Sequence, residues 1–418
     1  MTPPTLVLDG DRIVSDLAAL AEHGRSPSGG WTRQALSPSD AAARRIVIER
    51  ARAMGLEVRR DEVGNLHARL VGREPELAPV LTGSHLDSVP SGGRLDGPLG
   101  VVGALAAVEA MARAGVRPRR SVEVVVFVGE EGSRFPRGTI GSAAVAGHVN
   151  VVDILALRDA EGISYGDALA TYADDDLGPP VAVKAAANSI HAFLELHIEQ
   201  GGVLESARVP VGAVTAINGL TQIAVTFTGD ANHAGATPMG ALRRDALAAA
   251  SAWVLAVEKS AIDVGGGAVA TVGKMDIFPG GKNIIPGRVE AICDLRAATP
   301  ALLAAVEERV VAALARAADR GVEVAHRVLQ RVTPGPMHER AISAVEAGAA
   351  ALGLASLRMP SGAIHDALHM ADVAPSSMVF VPSRGGKSHC PEEDTAASDL
   401  VTGARVLAEA LWILAEQE

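Results

Sequence analysis

Cysteine is nearly absent: two residues, Cys293 and Cys390, in a chain of 418. Two cannot build a disulfide framework, and no zinc-finger spacing exists around them. Aromatic residues are also few, with three tryptophans, two tyrosines and six phenylalanines, which argues against stacking platforms for single-stranded nucleic acid. No window comes near the roughly 20 apolar residues needed to span a bilayer; the richest, 101–112, contains Glu109. Basic residues are outnumbered 38 to 49, for a net charge of −11, which argues against a nucleic-acid backbone or an anionic membrane as partner. The N-terminus has no basic region followed by a long apolar stretch, so it does not read as a signal peptide, and a cytoplasmic location is expected.

What is present is a folded chain of two or three domains, with 48% hydrophobic and 21% charged residues. Residues 38–55 read as a helix, with Ser37 or Ser39 as its cap and Gly55 past its end. Residues 57–71 read as a hairpin turning at Gly64 and Asn65. Apolar runs at 79–83 and 122–128 flank a helical stretch around 99–114, the strand–helix–strand alternation of a mostly parallel sheet. In the middle of the chain the rhythm changes. Strand patterns at 222–228, 267–276, 288–295 and 322–330 are interleaved with helix patterns at 241–259 and 299–320. The order β-α-β-β-α-β is the split βαβ, ferredoxin-like unit, here inserted into a larger α/β domain. The expected division is 1–212 with 331–418, and 213–330. A strand at 377–381 and a helix at about 396–416 complete the first of these.

In parallel sheets functional groups collect beyond the carboxyl ends of the strands. His85-x-Asp87 follows the first buried run, and Asp96 lies nine residues on in the loop GGRLDGPLG. Imidazoles and carboxylates, one of them bridging, are the donors of a dinuclear metal site. An aspartate two residues beyond a ligating histidine suits acceptance of its second N–H. Glu130 and Glu131 close the next run; adjacent carboxylates repel unless a cation lies near, and one can ligate while the other moves a proton. His197 closes FLELHIEQGG and His389 closes VPSRGGKSHC. No cysteine is needed for the set.

The strings GSHLDSVPSGGRLDGPLGV, EEGSRFPRGTIGS, ELHIEQGGVLE, NHAGATPM, KNIIPG and SGAIHDA resemble the hydantoinase/carbamoylase branch of the M20 metallopeptidase-like amidohydrolases. That group includes N-carbamoyl-L-amino acid hydrolases, β-ureidopropionases and allantoate amidohydrolases. The resemblance runs from about residue 80 to 395, and HIEQG with EEGSRF separates the branch from the peptidases. It implies a catalytic domain plus a lid and dimerisation domain, a homodimer, and two divalent ions per subunit: zinc, manganese, cobalt or nickel. It implies His85, Glu131, His197 and His389 as ligands with Asp96 bridging, Asp87 supporting His85, and Glu130 as general base. His233 would reach the scissile carbonyl from the lid, and Gln200, Asn283, Arg296 and Gly362 would contact substrate.

The implied reaction is hydrolysis of an N-carbamoyl-L-amino acid to amino acid, carbon dioxide and ammonia. Allantoate, β-ureidopropionate, or less readily an N-acyl or dipeptide amide, are the alternatives. Two positions depart from the family's usual residues: Ile364 stands where glycine is customary, and Gly129 where many relatives have a polar residue.

Overall fold

The computed structural model describes residues 5–27, 29–115, 117–171 and 177–418. The chain forms two compact units: residues 1–215, 337–359 and 365–418 make the first, and 216–336 with 360–364 the second.

The first unit is built on a mixed sheet. Its four central strands, in spatial order Val122–Phe127, Val80–His85, Ala192–Ile198 and Ser376–Val381, are mutually parallel. Every residue of all four is buried, as expected where helices cover both faces of a parallel sheet. The flanking strands run antiparallel: Leu66–Leu70 beside Val122–Phe127, and Val211–Ile217 beside Ser376–Val381. Helices Pro98–Arg113 and Ala397–Glu416 pack on these strands and on each other. Pro98–Arg113 is also the crossover between the first two parallel strands, so both strands end on the same side of the sheet.

Local chemistry sets the boundaries. Ser37 caps helix Pro38–Ala53 by accepting from the Asp40 N–H. Helix Ala246–Val264 begins five residues later than the alanine-rich pattern at 241–259 indicates, because the Asp245 side chain caps it through the Ala248 N–H. The hairpin Glu57–Arg60 with Leu66–Leu70 is fixed by Asp61, whose Oδ1 accepts from the N–H groups of Val63, Gly64 and Asn65. Helices Gly10–Ala21, Ile140–Val145, Val151–Ala156 and Tyr165–Ala170 were not apparent from the sequence. The last three span fewer than two turns, too short for a 3.6-residue period to stand out.

The second unit has the β-α-β-β-α-β order. Its sheet runs Glu323–Val332, Gly219–Thr228, Arg288–Ala297, Val269–Phe278, with every neighbouring pair antiparallel. Helices Ala246–Val264 and Pro300–Ala318 cover one face, around a core of Phe227, Trp253, Val306 and Val310. The buried Trp253 indole donates to the Val310 carbonyl at 3.1 Å, tying the two helices together. No helix among the described residues is long and apolar enough to cross a membrane.

One buried triad gives the first unit a pH-dependent stability. His67 Nδ1 lies 2.8 Å from Glu123 Oε1, and its Nε2 lies 3.4 Å from Asp61 Oδ2. Burial disfavours the charged ring, but the two carboxylates outweigh it and raise its pKa to about 9. The folded value exceeds the unfolded value of about 6.5, so the contribution is complete below pH 6.5 and is lost as pH rises through 9. Its size is on the order of 3 kcal/mol. Denaturant midpoints at pH 6.5 and 9.5 should fall much less in His67→Gln than in the wild type; parallel falls would refute the assignment.

Candidate metal centre and active site

The parallel strands deliver three of the histidine and glutamate positions to one edge. His85 is the last residue of its strand, the pair Glu130-Glu131 lies just past Phe127, and His197 is the penultimate residue of Ala192–Ile198. His389 comes from the loop after Ser376–Val381 and adopts a left-handed backbone with φ 55°. Asp96 comes from the glycine-rich loop before Pro98–Arg113. The adjoining Gly97 has φ 84°, and a Cβ there would fall 2.5 Å from the His85 ring. Only glycine lets this loop close on the histidine.

Asp96 stands at the centre of the constellation. Its Oδ1 lies 3.2 Å from His197 Nε2 and 3.6 Å from His85 Nε2. Its Oδ2 lies 3.2 Å from His389 Nε2, which in turn lies 3.8 Å from Glu131 Oε2. Two groups of candidate ligands therefore share one carboxylate: His85, Asp96 and His197 on one side, and Asp96, Glu131 and His389 on the other. Burial opposes the Asp96 charge, but the three imidazoles outweigh it and hold the carboxyl well below the usual range.

The donor set fits divalent ions. His85 Nδ1 hydrogen-bonds the Asp87 carbonyl at 2.9 Å, and His197 Nδ1 the Ile198 carbonyl at 2.8 Å. Each ring therefore carries a proton on Nδ1, so that its neutral form would offer Nε2 to an ion in the cluster. The His197 Nε2 is fully buried without a hydrogen-bond partner. Burial first, and the Asp96 carboxylate next, push Glu131 up to about 7. Glu130 is raised well above its ordinary value by burial, with His85 opposing and Glu131 adding to the rise. Cations among these groups would relieve that repulsion.

Asp87 meets His85 through its main chain and not its side chain. Its carboxylate stands 3.8 Å from His85 Nδ1, and the bond to that ring is made by its main-chain carbonyl. The carboxylate instead accepts from the N–H groups of Glu130 (3.2 Å) and Glu131 (3.1 Å), pinning the turn that aims both glutamates. The geometry favours this because successive backbone N–H groups in a turn point the same way. Glu130 Oε2 lies 3.8 Å from His85 Nε2, with Glu130 9% exposed.

Gln200 belongs to the same cluster, where its amide donates to Asp96 Oδ2 at 2.7 Å. His233, Asn283, Arg296 and Gly362 belong to the second unit. There His233 pairs with Ile284, and the Asn283 carbonyl accepts from the Ala234 N–H at 3.0 Å. Arg296 donates to Asp294 through Nε (2.9 Å) and Nη2 (3.4 Å), and to the Gly362 carbonyl through Nη1 (2.9 Å). The structure thus brings His85, Asp96, Glu130, Glu131, His197, His389 and Gln200 together within the first unit, and places the four other substrate candidates in the second, where Arg296 meets Gly362 directly.

Several buried groups behind the centre went unassigned in the sequence. Glu195 accepts from Ser84 Oγ at 2.7 Å and from the Ala367 N–H at 3.2 Å. The ring of His365 packs edge-on against His197, centroids 4.4 Å apart. Asp366 accepts from Ser142 Oγ at 2.5 Å, and burial, then Glu195, raise its carboxyl to about 8. Glu195 had a readable signal: it lies two residues before His197 in a strand, on the same face. Glu393, which accepts from the Leu95 and Asp96 N–H groups, had none.

Residues 81–412 match the model of Peptidase family M20/M25/M40. The chain is 42% identical over 418 residues to an N-carbamoyl-L-amino acid amidohydrolase of Geobacillus stearothermophilus, covering 99% of this chain and 100% of that one. It is 37% identical over 409 residues to an allantoate amidohydrolase of Escherichia coli K12, covering 97% and 98%. Among solved structures, a hydantoinase/carbamoylase family amidase from Burkholderia multivorans matches with a TM-score of 0.95 and 38% identity, over 99% of this chain and 100% of that one. With its motifs, fold and clustered ligands in agreement, the chain belongs to the metal-dependent M20 family and, within it, to the amidohydrolases of the hydantoinase/carbamoylase branch.

Proposed function

We propose that this amidohydrolase holds two divalent ions and cleaves the ureido group of N-carbamoyl-L-amino acids, releasing the amino acid, carbon dioxide and ammonia. The observation that carries the reading is the division of Asp96, whose two oxygens each face a separate group of ligands. The substrate class rests on the whole-length likeness to the Geobacillus enzyme. Bound ions supply a Lewis acid and a water whose pKa falls from about 15.7 toward 7.

The protein's own groups do the rest. Glu130, held by Asp87 beneath its N–H and raised in pKa, takes the proton from the attacking water and returns it to the departing nitrogen. His233 Nδ1 accepts from the Gly235 and Ala236 N–H groups, which leaves the ring's proton on Nε2. That donor suits a carbonyl oxygen gaining negative charge, so the second unit acts as a lid. Leu255 and Ile262, 68% and 72% exposed on the lid helix Ala246–Val264, support its pairing in a homodimer.

Arg296 has three of its five N–H donors committed within the second unit, leaving two for a substrate carboxylate. Arg296→Lys removes the fork and should raise KM about 10–100-fold with little change in kcat. An unchanged KM would remove Arg296 from carboxylate recognition.

The reading is tested by incubating metal-loaded protein with carbamoyl-L-amino acids, β-ureidopropionate and allantoate while measuring ammonia. Fast release from a carbamoyl-L-amino acid supports it. Release from allantoate alone would move the chain toward the function named for its Escherichia coli relative.

A further inference from the structure

The two halves of the cluster are unequally held. His85, Asp96 and His197 are all buried, whereas the His389 side chain is 52% exposed and comes from a loop. A buried carboxylate fastens that loop to the Asp96 loop. Glu393, 3% exposed, accepts through Oε1 from the N–H groups of Leu95 (2.9 Å) and Asp96 (3.1 Å), and through Oε2 from Ser388 Oγ (2.8 Å). Ser388, beside His389, also lies 3.2 Å from Asp96 Oδ2. Arg94 adds a second tie at 2.9 Å to Asp394, which Arg384 also grips at 2.7 Å. The cradle is shaped for this carboxylate: a Cβ on Gly93 would fall 2.0 Å from it.

We infer that Glu393 is a positioning residue that clasps the Asp96 loop to the His389 loop and so governs retention of an ion on the His389 side. The inference rests on the two-ion reading above. Glu393 touches none of the reacting atoms in this assignment. It fixes where Asp96 Oδ2 and His389 Nε2 stand, and partners of this kind typically account for 10–100-fold in metal affinity.

The test is metal content against increasing chelator, using cobalt as probe and its visible spectrum to follow each ion. Wild type should release two ions in separate steps. Glu393→Ala should release the first at about 10–100-fold lower chelator, leaving the second step and its spectrum in place. Gly93→Ala, which crowds the carboxylate without removing it, should shift the same step. Glu393→Gln keeps an oxygen for the two N–H groups and should restore most of the affinity. Ser388→Ala guards against a folding failure and should produce a smaller shift of the same step. Unchanged steps in Glu393→Ala, or both steps moving together, would overturn the clasp. A wild type that binds only one ion would instead overturn the two-ion reading, and the clasp with it.

Discussion

Glu130→Gln should lower kcat by about 10³-fold, within the 10²–10⁴ that a positioned general base contributes, while both ions stay bound. The substitution is nearly isosteric. The N–H of residue 130 still donates to Asp87 Oδ1, and its carbonyl still accepts from the Thr139 N–H at 2.7 Å. The turn that aims Glu131 therefore survives, and only the capacity to carry a proton is lost. Ammonia release and metal content measured on the same preparation check this. Activity within tenfold of wild type would mean the proton is moved by another group. Loss of metal alongside activity would make Glu130 a ligand rather than a base.

Asp96→Asn tests the bridge itself. An amide keeps the shape but offers one good oxygen donor, so it can serve His85 and His197 or His389 and Glu131, not both. Dialysed variant should hold no more than one ion per chain, and turnover should fall by about 10³-fold or more, since a two-metal clamp needs both positions. Nearby donors add to the cost: Gln200 Nε2 and Ser388 Oγ both meet Asp96 Oδ2, and an amide nitrogen placed there would repel the Gln200 amide. Two ions retained at wild-type affinity would dismiss the shared carboxylate.

Both predictions rest on residues that were legible in the chain, and the reason is geometric. Period-2 and apolar-run patterns locate strands, and a parallel sheet puts their carboxyl ends together. His85, the glutamate pair and His197 therefore stand out as polar residues closing buried runs. Asp96 stood out through the glycines around it, which permit the close approach of Gly97 to His85. His389 was less exposed to that logic, because it is the eighth residue after the end of its strand. It was read as closing VPSRGGKSHC, and the structure shows it in a turned loop held by Glu393.

The sequence by itself determined the α/β sheet with its inserted β-α-β-β-α-β unit, the histidine and carboxylate types that close its buried runs, and the adjacency of Glu130 and Glu131. These follow from local periodicity and from residue chemistry, which a linear pattern carries. Only the tertiary structure decided which oxygen of Asp96 faces which histidine, and that Asp87 meets His85 through its carbonyl while its carboxylate pins the glutamate turn. It alone joined Glu393 to Leu95 and Asp96, residues nearly 300 positions apart, and brought Pro360–Ile364 into the second unit. Contacts of that span leave no periodic trace, because they are set by how strands order themselves in the sheet and not by the chain's local rhythm.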